Sequence, residues 1–238
     1  MTNMFDFVDN KRPNPIGGKC YGCTYCYIHG KRGMVNRFRA MKKKYRREFK
    51  LYPNIINKKL VNVVKPMFFC DCIDWLHTDM PYAIIARMLG WFNEYPDIEF
   101  LSLTKNPLRY SDIIDSIPDN LVLGFTIESN RDYPDISNAP IQSKRIEAMT
   151  YIRGLLDLNE MTNKIFISIE PIMAFDFYEF HNAIEKINPT FGVAIGYSNN
   201  SVKLCEPPLK DTMVLRKNLI YDQFKVYDKT LRKAHWEK

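Results

Sequence analysis

No stretch of the 238-residue sequence approaches the roughly 18 uninterrupted apolar residues that a membrane-crossing helix needs, so no membrane partner is expected. The opening residues MTNMFDFVDNKRPNP hold neither a basic-then-apolar signal nor an arginine-rich amphipathic presequence, which predicts a cytoplasmic protein. Internal repeats and low-complexity tracts are also lacking, and with them go the solenoid and linker-like classes. Cysteine is scarce, six residues in all, and in a reducing compartment these read as metal ligands or redox groups rather than disulfides. What remains is ordinary globular composition, 46% hydrophobic and 26% charged, read as one domain over 1–238.

Acidic residues are nearly missing from 31–50, where ten Lys or Arg face Glu48 alone. The net charge of +7 therefore comes from this one segment, and the rest of the chain is slightly negative. Within it Met34, Phe38, Met41, Tyr45 and Phe49 recur at helical intervals, predicting a basic helix over 34–50 with an apolar stripe. Such a helix is either a solvated outer face or a surface for nucleic-acid phosphates.

Beyond it, short apolar runs alternate with helical patterns. Strands are expected over 66–74, 99–105, 121–129, 164–170 and 191–198, and helices over 80–94, 107–117, 140–158, 175–187 and 209–233. A first strand over 5–15 would precede the cysteine loop. Alternation of this kind implies a mostly parallel sheet with helical crossovers. Splitting each strand by parity gives one small or polar face: Ser102 and Thr104; Gly124, Thr126 and Glu128; Ser168 and Glu170; Gly192, Ala194, Gly196 and Ser198. The opposite faces are bulky, as a helix-covered surface requires. A partial (β/α)6-type parallel barrel with helices outside and a polar lumen is therefore expected, its chemistry at the strands' C-terminal ends.

Cys20, Cys23 and Cys26 fall within the loop GGKCYGCTYCYIHG, inside a segment taken as 14–30. Three thiols so close cannot all pair with one another, and the loop is poor geometry for a cross-link. Their C-x2-C-x2-C spacing suits a 4Fe-4S cluster with one iron left without a thiolate. Zinc is the alternative, although a third ligand so near would strain a single small ion and no obvious fourth follows; free thiols are the third. Cys70 and Cys72 read as packing residues, and Cys205 has no neighbouring partner.

NPIGGKCYGCTYCY, with an Asn-Pro before the loop and aromatic residues on both sides of the last cysteine, resembles the cluster loop of radical S-adenosylmethionine (SAM) enzymes. It departs from their usual three-residue first gap, having two residues between Cys20 and Cys23. CIDWLHTDMP, SLTKNPLRY, VLGFTIESNRDYP, ISIEPIM and VAIGYS are similar, in order and spacing, to blocks of a phage and prophage branch of radical SAM-like proteins of unassigned function. The likeness covers 14–198. It implies that Cys20, Cys23 and Cys26 ligate iron, that SAM occupies the open iron, and that an external electron donor drives reductive cleavage to a 5′-deoxyadenosyl radical. Tyr25 would then lie near the adenine.

The remaining candidates each carry two readings. Asp74 either holds the SAM amino group or a substrate hydroxyl, or caps a turn. His77 either moves a proton or contacts substrate, or is structural. Glu128 and Glu170 end lumen-facing strands, where an unpaired carboxylate is costly unless solvated or bound, and Glu128 is expected on the SAM ribose. Lys105 sits on the outward parity of its strand, so either a bulge turns it in towards an anionic group or it is exposed. Two functions follow: a radical SAM enzyme, whose substrate includes nucleic acid among the options, or a metal- or cluster-bearing nucleic-acid-binding protein without catalysis.

Overall fold

The computed structural model describes residues 5–9, 11, 13–30, 33–199 and 203–238. Strand β1 (Ile16–Gly17) pairs antiparallel with β2 (Lys50–Leu51), closing the cysteine loop and the basic segment into one excursion. That excursion carries α1 (Met34–Arg37) and α2 (Arg39–Tyr45), and α3 (Pro53–Ile56) follows it. The single helix expected over 34–50 is therefore corrected to two short ones. Phe38 is extended (φ −118°, ψ 122°) and serves as C-cap of one and N-cap of the other. Lys31 and Arg32 of the basic run lie outside the described residues.

The alternating pattern builds a curled half-barrel of six parallel strands in sequence order: β3 (Met67–Phe68), β4 (Phe100–Thr104), β5 (Leu121–Thr126), β6 (Ile165–Ile169), β7 (Gly192–Ile195) and β8 (Val226–Asp228). The crossovers are α4 (Tyr82–Asn93), a 3-10 helix (Pro107–Ser116), α5 (Gln142–Leu158), α6 (Phe177–Ile187) and α7 (Leu209–Tyr221). Ile, Leu, Val and Phe side chains of the sheet's outer face, among them Phe100, Leu123, Phe125, Ile167 and Val193, are sealed against these helices. Each such burial is worth roughly 1.5–3 kcal/mol. No helix among the described residues is long and apolar enough to cross a membrane.

Three further expectations are corrected. No strand forms among the described residues of 5–15; instead Phe5 and Val8 plug the base of the half-barrel. The last helix ends at Tyr221, where Gln223 takes a left-handed turn (φ 68°) and the chain returns as β8 beside β7. The parity of β4 is also reversed. Its register, Leu101 with Val122 and Leu103 with Gly124, turns Leu101 and Leu103 inwards and Ser102 outwards. Small or polar residues marked the lumen correctly on β5 to β7, but the lumen base is aromatic, so bulk on β4 faced in. Phe5, Phe68, Leu101, Val122 and Phe166 fill that base.

Candidate active site

At the C-terminal ends of the strands lies a cavity of about 1060 Å³, at the upper end of the ~300–1,000 Å³ of ordinary ligand pockets. The aromatic plug is its floor, the cysteine loop one wall, and Met34, Phe38, Met41 and Tyr45 of the basic segment another. The apolar stripe that periodicity predicted thus packs on the core through Met34, Met41, Tyr45 and Phe49, while Met34, Phe38, Met41 and Tyr45 also line the cavity.

The cysteine loop is held from behind by the connection between β5 and α5. Thr24 N–H donates to Ile136 O (2.8 Å), Asn138 N–H donates to Tyr21 O (3.0 Å), and the Cys23 thiol contacts the Ser137 hydroxyl at 3.1 Å. Gly22, inside the short first gap, has φ +65°, a left-handed turn that glycine takes without strain. A side chain at Gly30 would strike the Cys26 carbonyl at 2.4 Å. His29 N–H donates to the Cys26 sulfur at 3.3 Å.

All three cysteines line the cavity. Among the described residues, the sole set of three His, Cys, Asp or Glu ligands whose donor atoms all lie within 4.8 Å of one another is His181, Glu185 and Asp222, on the outer helices. Zn–S bonds of about 2.3 Å would need the three sulfurs drawn close round one ion, whereas a multi-iron cluster accepts a wider set. Tyr21, Tyr25, Ala139, Met173 and Leu204 form an apolar shell behind them. Burial, and then the neighbouring Asp74 carboxylate, pushes the Cys20 thiol well up; burial also raises Cys26. Burial thus favours the neutral thiols of Cys20 and Cys26, and a bound metal would displace their protons.

The reversed parity of β4 resolves Lys105, which follows Leu103 on the inward side without any bulge. Its Nζ lies in the cavity wall, 2.8 Å from Glu128 Oε1 and 5.3 Å from the centroid of the Tyr25 ring. Glu128 is fully buried and does not line the cavity. Tyr25 Oη and Lys105 donate to its Oε1, and Gln142 Nε2 (3.0 Å) and Arg145 Nη1 (2.9 Å) donate to its Oε2. Burial alone would raise its pKa, but Arg145 and Lys105, reinforced by hydrogen bonds from Lys105 and Tyr25, hold it well below the usual carboxylate range. Reaching a ribose would require Glu128 to release one of four donors. Gln142 and Arg145 escaped the sequence reading; the signal for them is two polar side chains three residues apart on the inward side of an amphipathic helix.

Asp74 lines the cavity, and its carboxylate receives Thr104 Oγ1 (2.7 Å), Leu76 N–H (3.0 Å) and Lys105 N–H (2.6 Å). Burial nonetheless raises its pKa. Glu170 also lines the cavity, and burial raises it while Lys229 opposes. His77 stands outside the cavity. Its ring stacks on Tyr21 (4.1 Å between centroids), and its Nδ1 accepts from Asp79 N–H at 3.1 Å. Cys70 and Cys72 both reach the cavity, Cys70 through a left-handed backbone (φ 54°) and Cys72 with its thiol 3.1 Å from Asp71 Oδ1.

The chain belongs to the family described as "Protein of unknown function (DUF5131)", whose model matches residues 14–175. No curated protein matches the sequence. Among solved structures the fold is similar to a cysteine-to-serine mutant of spore photoproduct lyase, with TM-score 0.60 and 11% identity over 95% of this chain and 79% of that one. A spore photoproduct lyase mutant with bound AdoMet and dinucleoside spore photoproduct gives 0.55 and 11%, over 93% and 64%. A radical SAM methyltransferase from Sphaerobacter thermophilus gives 0.57 and 12%, over 92% and 65%. The half-barrel is thus a fold shared with radical SAM enzymes.

Proposed function

We propose that this protein is a radical SAM enzyme of the phage and prophage type. One observation carries the reading: three loop cysteines border a large cavity at the C-terminal mouth of a parallel half-barrel. Cys20, Cys23 and Cys26 would hold a 4Fe-4S cluster and leave one iron to SAM. When bound, these cofactors would supply one-electron reductive cleavage of the sulfonium and a 5′-deoxyadenosyl radical for hydrogen abstraction, with the electron coming from an external donor.

The chain's own residues do the rest. The apolar shell of Tyr21, Tyr25, Met173 and Leu204 limits water around the thiols. Lys105 offers a cation to an anionic group in the cavity, and Asp74 and Glu170 offer carboxylates to an amino group or hydroxyl. Glu128 acts behind them, fixing the Tyr25 ring and the Lys105 ammonium instead of touching a ligand itself. His77 supports Tyr21 by stacking. The basic segment beside the mouth favours a substrate carried on nucleic acid over a small neutral molecule.

The test is anaerobic purification with iron and sulfide analysis, followed by SAM and a strong reductant. Bound iron and sulfide with formation of 5′-deoxyadenosine are expected. One zinc without sulfide, or no deoxyadenosine from fully clustered, reduced protein, returns the chain to the non-catalytic binding class.

A further inference from the structure

The break between α1 and α2 places Phe38 at the cavity wall with 54% of its surface exposed. An aromatic ring left this open is not needed for packing, since Val35 and Tyr45 are the buried anchors of the two helices. On the same segment Arg37, Arg39, Lys42, Lys43, Arg46 and Arg47 are all exposed, Arg46 donating to Asn36 Oδ1. None of the six forms an ion pair with a carboxylate among the described residues. Lys44 instead turns inwards, donating to the Asn14 carbonyl and lying over the Tyr45 and Tyr52 rings. The surface therefore presents one exposed aromatic ring on a strongly basic segment, at the wall of a cavity of about 1060 Å³.

We infer that this surface binds single-stranded nucleic acid, with the Phe38 ring stacking on a base and the surrounding Lys and Arg side chains contacting phosphates. The inference deepens, and rests on, the reading of the cavity as a site for a substrate carried on nucleic acid. Charge by itself would accept any polyanion. The ring narrows the class, because an acidic peptide has no flat face to stack, and a paired duplex keeps its base faces covered. Stacking on an aromatic side chain tolerates every base, so no sequence preference accompanies it.

The test is fluorescence anisotropy with labelled mixed-sequence single-stranded DNA and RNA, the matching duplexes, and unlabelled polyglutamate as competitor. Single strands of either sugar should bind more tightly than duplex and resist polyglutamate. Phe38→Ala should weaken single-strand binding by about 5- to 150-fold, as expected for one lost stacked base, and Phe38→Trp should restore it. Replacing Lys42, Lys43, Arg46 and Arg47 together by Gln should flatten the log–log salt slope by about 2–3 units. Unchanged circular dichroism of the Phe38 variants keeps the comparison valid. Phe38→Ala binding as well as wild type, polyglutamate competing as well as oligonucleotide, or no binding of single strands at low salt would each overturn the inference. The assay uses neither SAM nor reductant, so its failure is distinct from a failure to form deoxyadenosine.

Discussion

Arg145 Nη1 lies 2.9 Å from Glu128 Oε2, and both side chains are sealed from solvent. A buried pair of this kind is costly to break on one side, because the surviving charge is stranded. Glu128→Gln should therefore lose about 3–5 kcal/mol of stability, measured by urea unfolding of the metal-free protein. A loss below about 1 kcal/mol would show that water reaches the pair and that the carboxylate is free for a ligand.

The same group sets a pH dependence. Despite burial, Arg145 and Lys105 hold Glu128 well below its ordinary value of 4.5, so between its folded and ordinary values the unfolded chain binds the extra proton. The stability it provides is fully present above pH 4.5 and is lost as pH falls below that value. The thermal midpoint of the metal-free protein should drop on acidification through this range, and drop less steeply in Glu128→Gln. Parallel slopes for the two proteins would sink the assignment.

Replacing any one of Cys20, Cys23 or Cys26 by Ala should remove the brown absorbance of anaerobically prepared protein, since two thiolates from this loop are too few to hold a cluster. Cys70→Ala and Cys72→Ala should keep it. Retention of full iron and sulfide in Cys23→Ala would mean that the ligand set has been misjudged.

Lys105→Met removes one of the two lysines that line the cavity while keeping the length of the side chain. Binding of SAM to clustered protein should weaken by about 10- to 150-fold, the worth of a charge-assisted hydrogen bond of about 1.5–3 kcal/mol. Equilibrium dialysis against labelled SAM reads this directly, and an unchanged affinity would leave Lys105 as a partner of Glu128 only.

The half-barrel was legible because βα alternation is a strong periodic signal, and strands β4 to β7 fall inside their expected ranges. What sequence could not supply was the inward side of β4, since Leu101 reads the same whether it meets helices outside or the Phe5 and Phe68 rings inside. Strand β8 hid behind a helical pattern that the left-handed Gln223 ends abruptly. Phe38 kept helical spacing while its backbone did not. The Glu128 network was invisible for a different reason: Tyr25, Lys105 and the Gln142–Arg145 helix turn come from three separate parts of the chain, and only folding brings them onto one carboxylate.

Phe5 and Phe68, packed edge to face at the base of the half-barrel, form the floor of the well among the described residues. Two ligands stacked one above the other on that floor would have to pass in file. Of any two ligands sharing the space, the one seated deeper must arrive before the other and depart after it. Steady-state kinetics with two reactants should obey a compulsory sequence, and the inner reactant, trapped beneath its companion, should exchange with bulk solution only after the outer one has gone.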